Sequence, residues 1–230
     1  MHARRLNELI ADTAESLERQ VERFVREGRK VHLSSSFQTQ SVPLLHLMST
    51  LSNANLVQVI LIDTGFLFPE TYLFAQQLKN RFGLRVREVR SNRDYSEQLG
   101  TDHRFKFASD IEACCKLNKV DPIEQFIETG DVWISGIRAD QSKVRAQKET
   151  IETDDRGVIR YHPMLEWSGR DVHRYIAQHG LPKHPLEPLG YKSIGCLPCT
   201  RKWSALDLED GQRGGRWEGS QKTECGLHTS

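Results

Sequence analysis

The sequence predicts an α/β domain, a mostly parallel sheet flanked by helices. Two observations carry this. Short apolar runs alternate with longer amphipathic ones from residue 4 to residue 178, and polar clusters stand where several of the apolar runs stop. Strands that alternate with helices make βαβ units, and βαβ units make parallel sheets.

Residues 4–27 carry Leu6, Leu9, Ile10, Leu17, Val21, Phe24 and Val25 among many charges, the pattern of an amphipathic helix that Gly28 ends. Val31-His32-Leu33 is a short strand that runs into the polar turn 34–41. Val42 to Leu51 is a helix with Pro43 in its first turn, where a missing N–H costs nothing. Leu56 to Ile62 is a buried strand that stops at Asp63-Thr64-Gly65. Pro69 to Arg81 forms the next helix and Leu84 to Val89 the third strand. Val132 to Gly136 is a fourth strand and Val158 to Leu165 a fifth, followed by a helix, Gly169 to Gln178, that Ser168 caps and Gly180 ends. From Pro182 the chain becomes irregular. Residues 206–230 are polar and carry Gly211, Gly214, Gly215 and Gly219, the composition of a mobile tail.

The bulk numbers exclude several classes. The chain has 230 residues, and 32 basic side chains stand against 31 acidic ones, so no overall charge draws it to nucleic acid or to a membrane surface. Nothing approaches the ~20 consecutive apolar residues of a membrane span. Met1-His2-Ala3-Arg4-Arg5 leads into a charged helix and not into an apolar signal core, so the cytoplasm is the expected compartment. In that reducing setting five cysteines point to metal or catalysis rather than to disulfides.

The five fall as Cys114-Cys115, then Cys196 and Cys199 in a C-x-x-C, then Cys225 alone. Four plus one suits a four-thiolate cofactor and a separate reactive thiol. A vicinal pair is awkward for tetrahedral zinc, whose pairs come as C-x2-4-C, whereas an iron–sulfur cube takes four thiolates. The C-x-x-C alone would suit zinc, and Cys114 and Cys115 could also be simple core residues. Cys225 has His228 three residues on, and a nearby cation lowers a thiol pKa. Ligands of open α/β sheets bind beyond the carboxyl ends of the strands. Residues 34–41, 63–65 and 138–145 fall there, and the first of these turns feeds a helix N-terminus, which favours an anion.

Ser36-Phe37-Gln38-Thr39-Gln40-Ser41 resembles a degraded PP-loop, with Phe37 and Gln38 in place of two glycines and Gln40 in place of an aspartate. Ile62-Asp63-Thr64-Gly65, Gly136-Ile137-Arg138-Ala139-Asp140-Gln141-Ser142 with Arg145, Tyr191 to Thr200, and Arg213-Gly214-Gly215-Arg216-Trp217 with Lys222 to His228 follow in order. Together they resemble the sulfonucleotide reductases from about Leu33 to the C-terminus. Ala139 stands where that family often has a second arginine, and Asn118 where it has an arginine beside Lys119.

The resemblance implies a PP-loop architecture, with 1–205 as the nucleotide-binding domain and 206–230 as the tail that bears the nucleophile. The Cys-Cys plus C-x-x-C set resembles the iron–sulfur branch. It implies one [4Fe-4S] cluster on Cys114, Cys115, Cys196 and Cys199, and neither flavin nor haem. It implies reduction of adenosine 5′-phosphosulfate (APS) to sulfite and AMP in assimilatory sulfate reduction and cysteine biosynthesis. Cys225 would be the nucleophile, with thioredoxin or glutaredoxin as thiol donor. The 3′-phosphorylated substrate (PAPS), or both, is the alternative. The implied substrate contacts are Ser36, Gln38, Ser41, Asp63, Thr64, Lys119, Arg138, Gln141, Arg145, Arg213, Arg216 and His228. Asp63 could equally cap the turn that follows it, and Arg213 and Arg216 could be solvated. Neither nucleic acid nor membrane is implied as a partner, and a homo-oligomer is compatible. His46, His162, His173 and His184 have no metal spacing and read as structural. Two rivals stand outside the family: a PP-loop ATPase acting on tRNA, which would want glycines at 37 and 38 and an aspartate at 40, and a metal-binding redox regulator, which needs no nucleotide site.

Overall fold

The computed structural model describes residues 2–207, 214–217, 222, 226 and 227. A six-stranded sheet in the order β3-β2-β1-β4-β6-β5 forms its centre: β1 (Val31–Ser35), β2 (Val57–Asp63), β3 (Val86–Arg90), β4 (Val132–Ser135), β5 (Ile151–Thr153) and β6 (Ile159–Tyr161). All neighbours are parallel except β5, which pairs antiparallel with β6. The predicted α/β class with a mostly parallel sheet is therefore the observed one.

The two faces of the sheet follow from strand periodicity. Val57, Val59 and Leu61 of β2 join Val31, Leu33, Val132 and Ile134 in one core. The helices α1 (His2–Arg26), α2 (Val42–Thr50), α3 (Pro69–Phe82) and α7 (Gly169–Gln178) cover it. Ile60 and Ile62 point the other way, to Val89, Trp133, Ile123 and Ile127. Leu6, Leu17, Val21 and Phe24 are the buried stripe of α1, which ends as Gly28 takes φ +75°.

One expectation is corrected and two elements are added. The fifth predicted strand keeps only Ile159–Tyr161, because the Leu165 N–H folds back onto His162 O at 3.2 Å and the chain turns. The edge strand β5 has no strong apolar alternation and owes its form to pairing with β6. Residues 106–126, which sequence patterning left without a distinct element, form three short helices, α4 (Lys106–Ser109), α5 (Ile111–Cys115) and α6 (Asp121–Phe126). A π-helical turn, Lys116–Val120, joins the last two. Among the described residues no helix is long and apolar enough to cross a membrane.

The strand order runs outward from β1 in both directions, to β2 and to β4. A crevice therefore opens beyond the carboxyl ends of β1 and β4, the place where open α/β sheets bind ligands.

Candidate active site

That crevice holds a cavity whose floor comes from strand residues, Leu33, Ser34, Leu61, Ile62 and Ser135. Its walls carry Ser36, Gln38, Gln40, Ser41, Gln141, Arg145, Lys119, Ser193, Ile194, Gly195, Arg216 and Leu227.

The turn after β1 is shaped by an unusual residue. Phe37 adopts φ +50°, a conformation that disfavours any residue with a Cβ, yet its ring is fully buried in the core. The apolar anchor thus holds a backbone shape that glycine would supply freely. The Phe37 N–H is taken by Ser35 Oγ at 3.0 Å. Ser36 and Ser41 hydroxyls meet at 3.0 Å, and Gln38 Nε2 donates to Ser36 Oγ at 3.1 Å. Gln38 Oε1 accepts the Ile194 N–H at 3.1 Å, tying the turn to the segment that leads into the C-x-x-C.

The loop after β4 supplies the next wall. Gln141 Oε1 accepts the Arg138 N–H at 3.0 Å and also an Arg145 guanidinium N–H. Arg145 lines the cavity although it is only 7% exposed. Arg138 does not line it: its side chain is fully buried, its Nε donates to Asp140 at 3.1 Å, and burial lowers its pKa.

Asp63 is also outside the lining. Its Oδ1 accepts the Gly65 N–H at 2.8 Å and the Tyr72 hydroxyl at 2.6 Å, while Oδ2 accepts both Nε (2.9 Å) and Nη2 of Arg90. Burial opposes the charge on Asp63, but these hydrogen bonds hold its carboxyl below the usual pKa; burial first, and then the bond to Asp63, push the Tyr72 phenol up. Of its two readings, Asp63 takes that of a cap. Thr64 contacts not the cavity but Cys196, with Oγ1 3.2 Å from Sγ.

The four cysteines form a wall behind the lining residues Lys119, Gly195 and Arg216. Asp110 caps α5 by accepting the Ala113 N–H at 2.9 Å, which sets Cys114 and Cys115 at the helix end. The π turn that follows widens the helix, a distortion frequent at functional sites. It brings Asn118 Nδ2 to Cys114 O at 3.2 Å and sets Lys119 on the cavity. Asn118, in the place of an expected cation, also exchanges amide hydrogen bonds with Gln98 at 2.7 and 2.8 Å. The second pair is placed by the Leu67–Cys196 bridge and by the Leu197 N–H on Phe66 O at 2.7 Å.

Burial raises the thiol pKa values of Cys114 and Cys199, and charge on Cys196 raises both further. Lys119 opposes this at both, joined at Cys199 by Arg216 and Lys222. The thiols thus share one neighbourhood with three cations. Among the described residues no group of three His, Cys, Asp or Glu side chains is placed to hold a metal ion. By chemistry alone, four thiols are the donor set that an iron–sulfur cube takes.

The tail contributes through its described residues. Thr200 and Arg216 form an antiparallel bridge, the Trp217 N–H donates to Cys199 O at 3.1 Å, and Arg216 Nε donates to the same oxygen at 3.2 Å. The Arg216 guanidinium lies on Gly195, where a Cβ would collide with it. Lys222 is paired with Glu112, next to the vicinal cysteines. Arg213, Cys225 and His228 lie outside the described residues, but Leu227 lines the cavity. Of the expected substrate contacts, Ser36, Gln38, Ser41, Lys119, Gln141, Arg145 and Arg216 are brought together; Asp63, Thr64 and Arg138 support from behind. Sequence reasoning missed Ser135, Gln40 and Lys222. A polar residue closing the buried run Val132-Trp133-Ile134-Ser135 was the available signal for the first.

Residues 30–202 match the family model of the phosphoadenosine phosphosulfate reductase domain. An adenosine 5′-phosphosulfate reductase of Salinibacter ruber is 34% identical over 88% of this chain and 79% of its own length. A phosphoadenosine 5′-phosphosulfate reductase of Alkalilimnicola ehrlichii is 38% identical over 86% of this chain and 80% of its own. Among solved structures, the PAPS reductase of Candida auris superposes with a TM-score of 0.63 at 22% identity, covering 82% of this chain and 94% of that one. Yeast FAD synthetase superposes with a TM-score of 0.55 at 20% identity, over 86% and 67%. The matched span of 30–202 and the relatives at 34% and 38% identity make this chain a member of the APS/PAPS reductase family.

Proposed function

We propose that this protein reduces APS to sulfite and AMP through a covalent adduct on Cys225. One observation carries the reading: the cavity at the carboxyl ends of β1 and β4 is rimmed by Lys119, Arg145 and Arg216 and contacted by Leu227, two residues beyond Cys225. A phosphosulfate repels a thiolate, and fixed cations reduce that repulsion without reorganising in the reaction. The Cys225 thiolate attacks the sulfonate sulfur, an S–S bond forms, and the S–O bond to AMP breaks with its electron pair leaving on the phosphate. A thiolate of a dithiol donor of the thioredoxin or glutaredoxin class then attacks Cys225 Sγ and releases sulfite. The donor's second thiol frees Cys225 and leaves as a disulfide, so two electrons pass from the dithiol to sulfur. The glycines of the tail suit a segment that closes over the substrate and opens to the donor.

Cys114, Cys115, Cys196 and Cys199 would hold a [4Fe-4S] cluster, which when bound supplies a rigid anchor and a local field. Lys119 stands between that wall and the cavity and holds positive charge toward the substrate. The assignment to APS rests on the four-thiol set. The 38% identity to a relative named for PAPS favours a second reading, in which the 3′-phosphorylated nucleotide is also accepted. The proposed setting is assimilatory sulfate reduction in the cytoplasm.

The test is sulfite release by anaerobically purified protein with thioredoxin, on APS and PAPS at equal concentration. APS preference supports the proposal and PAPS preference the second reading. Sulfite formation by Cys225→Ser at the wild-type rate would refute the adduct.

A further inference from the structure

One buried polar chain reaches the cavity from behind and is not used above. Ser135 ends β4 and lines the cavity floor, 3% exposed. Its Oγ lies 2.9 Å from Nδ1 of His162, which follows β6 and is 2% exposed. His162 Nε2 makes no hydrogen bond but faces Glu152 Oε1 of β5 at 3.7 Å. Glu152 is held in turn by Lys148 Nζ at 3.1 Å and by the Glu149 N–H at 3.3 Å.

Burial, helped by Arg160 and Lys148 and opposed by Glu152, brings the His162 pKa down to about 4, so the ring is neutral at pH 7 and carries one N–H. A carboxylate only accepts. A bare Nε2 lone pair facing it would be repelled, whereas an Nε2–H is attracted. The proton therefore sits on Nε2, and Nδ1 is an acceptor. The Ser135 hydroxyl must donate to it. A serine has a single O–H, so its oxygen has only lone pairs left to offer the cavity it lines.

We infer that Ser135, set by His162 and Glu152, is an obligate hydrogen-bond acceptor that reads a donor group on the bound nucleotide. The inference rests on the reading above that the cavity takes a 5′-adenylyl nucleotide. The floor is made by strand residues and the cations stand on the π turn and on the segments that follow the strands, so Ser135 meets the uncharged part of the ligand. The group it accepts from is the exocyclic amine of the base or a ribose hydroxyl. Ser135 is a specificity residue; His162 acts through it as a positioning residue.

The test is calorimetric binding of AMP, IMP, 2′-deoxy-AMP and 3′-deoxy-AMP to the full chain and to variants, with thermal melts to verify folding. The wild type should bind AMP about tenfold tighter than one of the three analogues, the worth of one hydrogen bond. Loss against IMP marks the amine as the source, and loss against a deoxynucleotide marks the ribose. Ser135→Ala should abolish that discrimination. His162→Phe should release the serine proton, so that Ser135 donates. AMP affinity then falls and, on the amine arm, IMP becomes the better ligand. His162→Asn sets a carbonyl oxygen where Nδ1 stood and should restore the wild-type order, which a merely structural role does not predict. Nitrogen-15 shifts of His162 should show the neutral Nε2–H tautomer. An Nδ1–H tautomer, or unchanged discrimination in Ser135→Ala, overturns this inference alone. A wild type that binds no AMP overturns the functional reading and this inference with it.

Discussion

The two walls of the cavity are built differently. The strand-end wall, from the turn after β1 and the loop after β4, stands on the main core: Phe37 is fully buried, and Leu33, Leu44 and Ile134 lie beneath. The cysteine wall comes from short helices, a π turn and an irregular segment. It is joined by thiols, cations and main-chain hydrogen bonds, and Ile194 packs in a small apolar cluster with Phe68 and Leu186, apart from the main core. Apolar packing is indifferent to ligands. Thiols and lysines grouped together are not, since their mutual charge depends on what the thiols bind. The first wall should therefore keep its shape under most conditions, and the second should keep it only with its partner in place.

The largest effect should come from Cys199→Ser or Cys114→Ser. Iron content and sulfite release should both fall to background. Amide exchange should accelerate over 111–120 and 195–200 while β1, β2 and β4 exchange as before. Equal acceleration in the strands would break the contrast, for it would mean that both walls depend on the thiols. Next is Arg145→Ala, which removes a cation from the otherwise well-packed wall. A loss of about a hundredfold in kcat/KM is expected, typical of removing one preorganised charge contact, with the melting profile nearly unchanged. Arg216→Ala sharpens the comparison, because Arg216 also holds the Cys199 carbonyl. It should lose activity and accelerate exchange at 195–200 as well.

These differences mark what could be read from sequence. The parallel sheet and the turns at its carboxyl ends were legible, since they depend on local periodicity and spacing. Asp63 was ambiguous because its role is decided by Tyr72 and Arg90, nine and 27 residues away, which saturate it. The strand β5 was hidden because its conformation comes from pairing with β6. Phe37 was read as the loss of a glycine. That its ring could anchor a left-handed backbone needed the core beneath it to be visible. Ser135 was hidden for a similar reason, since the histidine that orients it is 27 residues further along.

Phe37 gives a fourth test. Phe37→Ala removes a fully buried ring and keeps the Cβ that strains a positive φ, so it should cost about 3–5 kcal/mol in urea unfolding. Phe37→Gly loses the same ring but relieves the backbone, and should recover about 1 kcal/mol of that loss. If the alanine variant were the more stable of the two, the strain assigned to this turn would be wrong.

The smallest effect is a pH dependence that belongs to the packed wall. His184 is fully buried behind the turn: its N–H donates to Thr39 Oγ1 at 3.0 Å, Nδ1 accepts the Leu186 N–H at 3.2 Å, and Nε2 meets Thr71 Oγ1 at 3.1 Å. With Nδ1 accepting, the ring must be neutral, and burial lowers its pKa to about 4, against 6.5 for the free side chain. Between these values the unfolded chain binds the proton and the folded one does not. Stability is then complete above pH 6.5 and declines as pH falls toward 4, by at most about 1.4 kcal/mol per pH unit from this group. Urea midpoints measured from pH 7.5 to 4.5 should fall along that slope. His184→Gln, which cannot titrate, should lose stability at pH 7.5 but flatten the dependence. An equally steep fall in the variant would assign the acid sensitivity to other groups, His162 first among them, whose pKa is lowered to a similar value.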